Sequence, residues 1–410
     1  MKFFFPDSHD MVDPLFDFVT ERREFRGSRQ QSQCYAHEVL SDPPYHGMLL
    51  SKAMIDPWEN SKSVRYKFTQ VQRLKRLGAR EFLRLDRPGL TRRLETMGDC
   101  GAFSYVNEPE PPFSIDNVLE FYSDCQFDYG ISPDHVILGY QEDDSKKDIP
   151  QDWKDRFEIT LDRAQQFLQQ CQQHNLPLTP MGAAQGWSPR SYAEAVSRLQ
   201  SMGYDYIALG GMVPLKTAEL LACLEEVSKV KKSKTRIHLL GIARLEKLQE
   251  FQRYGVTSLD STSPLKKAFM DDRENYHTSG KNYIAVRIPQ VEANNQLNKL
   301  ILMGHIDQKT ARDLEISCFQ GLLDYEKNRL SLDTLIDRLK SYQAVWHGKK
   351  DDSPSYRITL EEKPWERCPC TICKRLGIHV VLFRGSERNR SRGFHNLYTL
   401  RQRLDQANME

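Results

Sequence analysis

Three short stretches decide the fold: YDYIALG at 204–210, RIHLLG at 236–241 and GVTSLD at 255–260. Each is a brief apolar run bounded by glycine or a polar turn, which is how a buried strand reads. Helix-periodic segments separate them, Leu215–Lys229 and then Arg244–Tyr254, and Pro189–Met202 precedes the first. Ser188 and Pro189 suit an N-cap and a first helical position. Gly203 and Gly255 stand where glycines end helices. The order strand, polar turn, helix, glycine, strand implies a parallel sheet with helices outside it.

Further strands are expected at Met48–Lys52, Glu81–Leu85, His135–Leu138 and Leu176–Met181, with a long helix at Trp153–His174. About eight βα units fit residues 1–265, so the expected fold is α/β, a (β/α)8 TIM barrel. A doubly wound open sheet is the competitor, but no Gly-x-Gly-x-x-Gly follows the first strand. Residues 266–350 read as a helical segment completing or flanking the barrel, with Leu297, Leu300, Ile301, Leu322, Leu335 and Leu339 at helical spacing. Gly348–Ser355 reads as a charged linker. Residues 351–410 hold a cysteine cluster, a basic loop and a final helix.

Of the 410 residues, 39% are hydrophobic and 28% charged, which excludes wholesale disorder. Lys plus Arg is 58 against 56 Asp plus Glu, a net charge of +2, so overall charge neither demands nor excludes a polynucleotide partner. No apolar run reaches the length of a membrane span, and Met1–Asp10 lacks the apolar centre of a signal peptide, so no membrane partner is expected. Nine cysteines, three of them within six positions, suggest a reducing, cytoplasmic setting and one metal site.

That site is Cys368-Pro-Cys370-Thr-Ile-Cys373, followed 22 residues later by His395. Closely spaced thiolates plus a distant imidazole can fill all four positions around a tetrahedral Zn2+, leaving none for water, so the ion would be structural. His379 is a rival fourth ligand. A barrel places its chemistry at the C-terminal ends of its strands. Those ends hold Asp99-Cys-Gly-Ala-Phe103, Asp134, Gln185-Gly186, Gly210-Gly211 and Asp260. Paired carboxylates there suit glycosyl chemistry, and the amide with close-approaching glycine backbone suits reading a purine edge. Lone His238, together with Cys34, Cys125, Cys171, Cys223 and Cys318, reads as packing.

Asp99-Cys100-Gly101-Ala102-Phe103 resembles the Asp-Ser-Gly-Gly-Phe/Tyr motif of the tRNA-guanine transglycosylase superfamily. Gly182–Gly186, Tyr206–Gly211, Leu240-Gly241-Ile242 and Leu259-Asp260 follow that family's later motifs in order and spacing. Its zinc site resembles the cysteine cluster with Phe394-His395-Asn396, which favours His395 over His379. The resemblance implies a ping-pong base exchange with Asp260 as nucleophile and Asp99 as acid/base. It implies that Asp134, Gln185 and the Gly210-Gly211 backbone read the base edge, and that Phe103 and Leu240 sandwich the ring.

The sequence departs from the superfamily at Cys100 and Ala102, at Asp134-His135, and at Ser261–Leu265, where the family's Cys-x-x-Pro-Thr-Arg has lost its arginine. No archaeal-type RNA-binding appendage follows the zinc region. The pattern is most similar to the DpdA branch, which inserts a 7-deazaguanine such as preQ0 into DNA. That implies DNA as partner, with tRNA or a noncatalytic nucleic-acid-binding paralogue as alternatives, and a helper ATPase. Basic residues offer phosphate contacts: Arg73, Lys75, Arg76, Arg80, Arg84, Arg87, Arg92 and Arg93, and the loop residues Arg384, Arg388, Arg390 and Arg392.

Overall fold

The computed structural model describes residues 1–23, 32–59, 61, 65–143, 148–348 and 350–409, so position 349 of the expected linker lies outside the described residues. The chain divides into two compact units. One comprises Met1–His9, Tyr45–Thr262 and Leu404–Glu410, the other Asp10–Pro44 and Ser263–Arg403. This differs from three consecutive segments at 1–265, 266–350 and 351–410. The helical and cysteine-bearing stretches share a unit, and residues 10–44 join them.

The first unit is a closed barrel of eight parallel strands in sequence order. They are β1 (Lys2–Pro6), β2 (Gly47–Ser51), β3 (Glu95–Asp99), β4 (Tyr129–Ile131), β5 (Thr179–Ala184), β6 (Tyr206–Leu209), β7 (Arg236–Leu239) and β8 (Val256–Asp260). Closure comes from β1 pairing β8, with Phe4 opposite Asp260. Helices Phe68–Phe82, Ile115–Cys125, Gln151–Gln173, Pro189–Met202, Thr217–Val230 and Leu248–Arg253 fill the crossovers from β2 onward. Pro189–Met202 begins and ends where the sequence places it. Ser188 accepts from the Ser191 amide at 3.0 Å, and Gly203 ends the helix at φ +112°.

Phe4, Leu49, Met97, Tyr129, Ile131, Met181, Ala183, Tyr206 and Ala208 form a buried cluster from six of the strands, β1 to β6. Burying each large apolar side chain contributes about 1.5–3 kcal/mol, so this cluster is a main source of barrel stability. Rings interlock edge to face, Phe4 with Tyr129 at 5.9 Å and Tyr129 with Tyr206 at 5.6 Å.

Two expected strands are corrected. Glu81–Leu85 is the end of the amphipathic helix Phe68–Phe82 and the turn after it; its apolar residues Phe82, Leu83 and Leu85 are buried as helix-end packing. His135–Leu138 is unladdered chain after β4, buried as far as Ile137 and exposed at Leu138, with amides held by side chains. Thr160 Oγ1 accepts from the His135 amide at 3.0 Å and Gln185 Oε1 from the Ile137 amide at 3.3 Å. Conversely, β1, β3 and β4 are strands the sequence reading did not name.

The second unit is mainly helical, with Gln308–Glu326, Leu332–Trp346, Ser353–Glu362 and most of Gly385–Met409 as its principal helices. Its small parallel sheet joins β9 (Val286–Arg287) to β10 (Leu382–Phe383). Among the described residues, no helix is long and apolar enough to cross a membrane.

Candidate active site

Every expected mouth residue lies at or just past the C-terminal end of a strand. Asp99 ends β3 and Asp260 ends β8; Asp134 follows β4, Gln185 follows β5, Gly210-Gly211 follow β6 and Leu240 follows β7. Parallel strands with a common direction make this convergence unavoidable.

Burial and mutual repulsion set the charges. The Asp99 carboxyl is pushed up to about 8, first by burial and then by the negative charges of Asp134 and Asp260; hydrogen bonds from the Gly101 and Cys100 amides offset this only in part. Asp99 is therefore largely a carboxylic acid at neutral pH, able to donate a proton. Asp134 is pushed up to about 6 by burial, moderated by the hydrogen bond that Gln185 Nε2 donates to its Oδ2 at 2.5 Å. Two carboxyls of the same type thus sit on opposite sides of pH 7.

Asp260 is 5% exposed, and its Oδ1 accepts from the Gly241 amide at 3.0 Å and from His238 Nε2 at 3.1 Å. Gly241 can present its amide this way because it holds φ +74°, and a Cβ there would come within 2.9 Å of Val213. His238 is a neighbour of Asp260 that the sequence does not single out. The sequence alone places it as packing, and it is fully buried, with its Nε2 against the Asp260 carboxylate. The signal was its place on β7, two residues before the turn at Leu240-Gly241.

The glycine pair forms a floor that admits no side chain. A Cβ at Gly210 would fall 2.2 Å from Gln185 Nε2, and one at Gly211, where φ is +73°, 2.5 Å from the Ile137 carbonyl. Tyr192 fixes the turn by donating to the Gly210 carbonyl at 2.7 Å. Phe103 is 67% exposed, an apolar ring left facing solvent, while Leu240 packs against the barrel's buried cluster. Cys100 is fully buried and burial pushes its thiol up, so it is no nucleophile.

In the second unit, Cys368, Cys370, Cys373 and His395 bring their ligand atoms within 4.8 Å of one another and can hold a metal ion. His395 Nδ1 lies 3.5, 3.5 and 3.3 Å from the three sulfurs, and its Nε2 donates to the His277 carbonyl at 2.7 Å. That outer bond fixes which nitrogen faces the cluster. His379 is outside the cluster; its ring packs near Phe18 and Phe319.

The basic loop expected at Arg384–Arg392 is corrected: from Gly385 it is helix, and three of its arginines are inside the unit. Arg384, Arg388 and Arg392 are 7%, 1% and 0% exposed. Arg384 pairs with Glu21 at 2.7 Å and Glu315 at 2.6 Å, and Arg388 also pairs with Glu21. Burial works to raise Glu21, but these two guanidiniums hold it down to about 2. Arg392 has carbonyl partners at Ala268, Val380 and Leu382. These three guanidiniums are buried and paired with groups of their own unit. Arg390 alone of the four keeps appreciable exposure, with long ion pairs to Asp10 and Glu387 at 3.9 Å. In the other basic cluster, Arg80 and Arg93 pair with Asp128 and Lys75 with Asp56.

No family model matches the chain. Its sequence is 45% identical to a DNA-guanine transglycosylase of Salmonella montevideo, over 98% of this chain and 96% of that protein. With identity at that level over nearly the whole length, and the barrel-mouth carboxylates already in place, the chain belongs to the DNA-guanine transglycosylase family.

Proposed function

We propose that this protein exchanges guanine in DNA for a 7-deazaguanine, preQ0, through a covalent glycosyl-enzyme. The observation that carries the reading is the division of labour at the mouth: Asp99 favours its acid form, while Asp260 has two donors on Oδ1. An oxygen of Asp260 attacks C1′ of the target deoxyguanosine. The C1′–N9 bond breaks, its electron pair leaves with guanine, and Asp99 gives guanine a proton. The incoming base then returns a proton from N9 to Asp99 and attacks C1′. The ester bond breaks and Asp260 leaves as carboxylate.

Asp134 and Gln185 hold the base edge, with the Gly210-Gly211 turn close below, while Phe103 and Leu240 cover the ring faces. DNA has no 2′-hydroxyl, so base and phosphate contacts must do the positioning. Taking a base out of duplex costs roughly a few kcal/mol. A helper ATPase is one source of that work, and an unpaired guanine avoids it.

Zinc suits the cysteine cluster. A tetrahedral ion with Zn–S of ~2.3 Å and Zn–N of ~2.0 Å sets sulfur and nitrogen about 3.5 Å apart, close to the spacings described above. The ion would supply charge neutralisation and a cross-link between distant segments. Cys34, Cys100, Cys125, Cys171, Cys223 and Cys318 stand outside that cluster and outside any disulfide, which agrees with a reducing cytoplasm.

The deciding experiment incubates protein with DNA or tRNA and labelled guanine or preQ0, then measures incorporation. Label entering DNA supports the reading. Label entering tRNA but not DNA replaces it with a tRNA enzyme, and no label in either replaces it with a noncatalytic binder.

A further inference from the structure

A chain of polar groups runs beneath the Asp260 carboxylate inside the barrel. The Tyr206 hydroxyl meets Ser258 Oγ, Ser258 Oγ meets His238 Nδ1 at 2.7 Å, and His238 Nε2 meets Asp260 Oδ1 at 3.1 Å. All four side chains are buried. The ring edge of Phe4 closes one side of the imidazole at 6.1 Å, and the Arg236 guanidinium lies over the Tyr206 ring at 4.1 Å.

We propose that His238 is a positioning residue for Asp260, held as the Nε2–H tautomer by Ser258 and Tyr206. A carboxylate only accepts, so His238 Nε2 must donate. In the Nε2–H tautomer Nδ1 accepts, so Ser258 donates to it and Tyr206 donates to Ser258. Each hydrogen is used once, and the direction of the chain is fixed from Tyr206 to Asp260.

The kinetic consequence rests on the base-exchange reading. Both donors, His238 Nε2–H and the Gly241 amide, fall on Oδ1. Oδ2 is then the attacking oxygen. Once Oδ2 bonds C1′, the side chain is a neutral ester and its donors bind more weakly, because hydrogen bonds to a charged acceptor are about twice as strong. His238 therefore favours free carboxylate over ester and eases departure of Asp260 in the second half-reaction. A residue that only filled space would give no such bias.

The test uses the full chain with single-stranded DNA and labelled guanine, comparing wild type, His238→Phe and His238→Gln. His238→Phe should slow exchange about tenfold, while the denaturant-stable protein–DNA adduct rises relative to free protein by roughly 4- to 12-fold, the difference between a hydrogen bond to a carboxylate and one to an ester. His238→Gln keeps an N–H donor near the Nε2 position and should restore most of both. Exchange and adduct falling together in both variants, or neither moving, would overturn the proposal. Nitrogen-15 histidine spectra of the wild type supply a second measurement independent of turnover. An Nε2–H signal that shifts in Asp260→Asn supports the chain of bonds, and an Nδ1–H tautomer overturns it. Wild type inactive on DNA with the Nε2–H signal intact would defeat the base-exchange reading and leave the positioning role standing.

Discussion

Gln185 donates to Asp134 across 2.5 Å, and neither side chain is more than 2% exposed. The bond stabilises the charged form of Asp134 and leaves its other oxygen to accept from a base edge. Asp134 must be ionised to accept, so exchange should fall as pH drops through about 6. Gln185→Ala removes the group that lowers this value, and the acid limb should move to higher pH. A pH–rate profile of kcat/KM checks it; an unmoved limb would separate Asp134 from base recognition.

The alkaline limb belongs to Asp99. Exchange should decline as pH rises through about 8, where the acid loses its proton, and Asp99→Asn should lose turnover by at least about a hundredfold. The linkage has the same sign. A carboxyl raised above its unfolded value contributes stability below about 4 that is lost as pH climbs to about 8. Asp99→Asn should consequently melt higher than wild type at pH 8–9. Equal melting there would mean that burial does not strain Asp99.

Removing a buried guanidinium should cost stability and spare DNA binding. Arg392→Met strands the carbonyls of Ala268, Val380 and Leu382 and should cost about 2–4 kcal/mol, with an unchanged salt slope for DNA binding. Arg388→Ala removes one of the two guanidiniums on Glu21 and leaves Arg384 in place, so it should cost about 1.5–3 kcal/mol. Arg390→Ala should cost less than about 1 kcal/mol. Denaturant melts alongside binding at two salt concentrations make the comparison, and a flattened slope for Arg392→Met would return that residue to the phosphate surface.

Cys370→Ser should lose bound metal and stability together, lowering Tm by about 10 °C, because metal binding is folding energy in such a site. Metal analysis beside calorimetry reads both. Full zinc retention would remove Cys370 from the ligand set.

What the sequence exposes and conceals follows from range. The units from Pro189 to Asp260 are short and punctuated by Gly203 and Gly255, so local pattern suffices there. The Phe3-Phe4-Phe5 run of β1 has no polar alternation and its partners are β2 and β8, so periodicity alone does not name it. In β3, Glu95-Thr-Met-Gly-Asp99 looks polar because its two ends carry charge, one at each mouth of the barrel. The motif at Asp99 was legible although its strand was not. The Arg384–Arg392 cluster looked like a solvent-facing surface because its acids, Glu21 and Glu315, are far off in sequence. His238 looked inert for a similar reason: Asp260, which explains it, lies on the neighbouring strand.

The pairing of Lys2 with Ser258 and of Phe4 with Asp260 also has a bearing on how the molecule is made. Residues separated by about 250 positions must meet before the barrel can shut, a contact of high order that slows folding. During synthesis β1 emerges early and waits, its apolar edge unpaired, until β8 leaves the ribosome. Asp260 and the seam of closure arrive together, so an incomplete chain has no assembled barrel mouth.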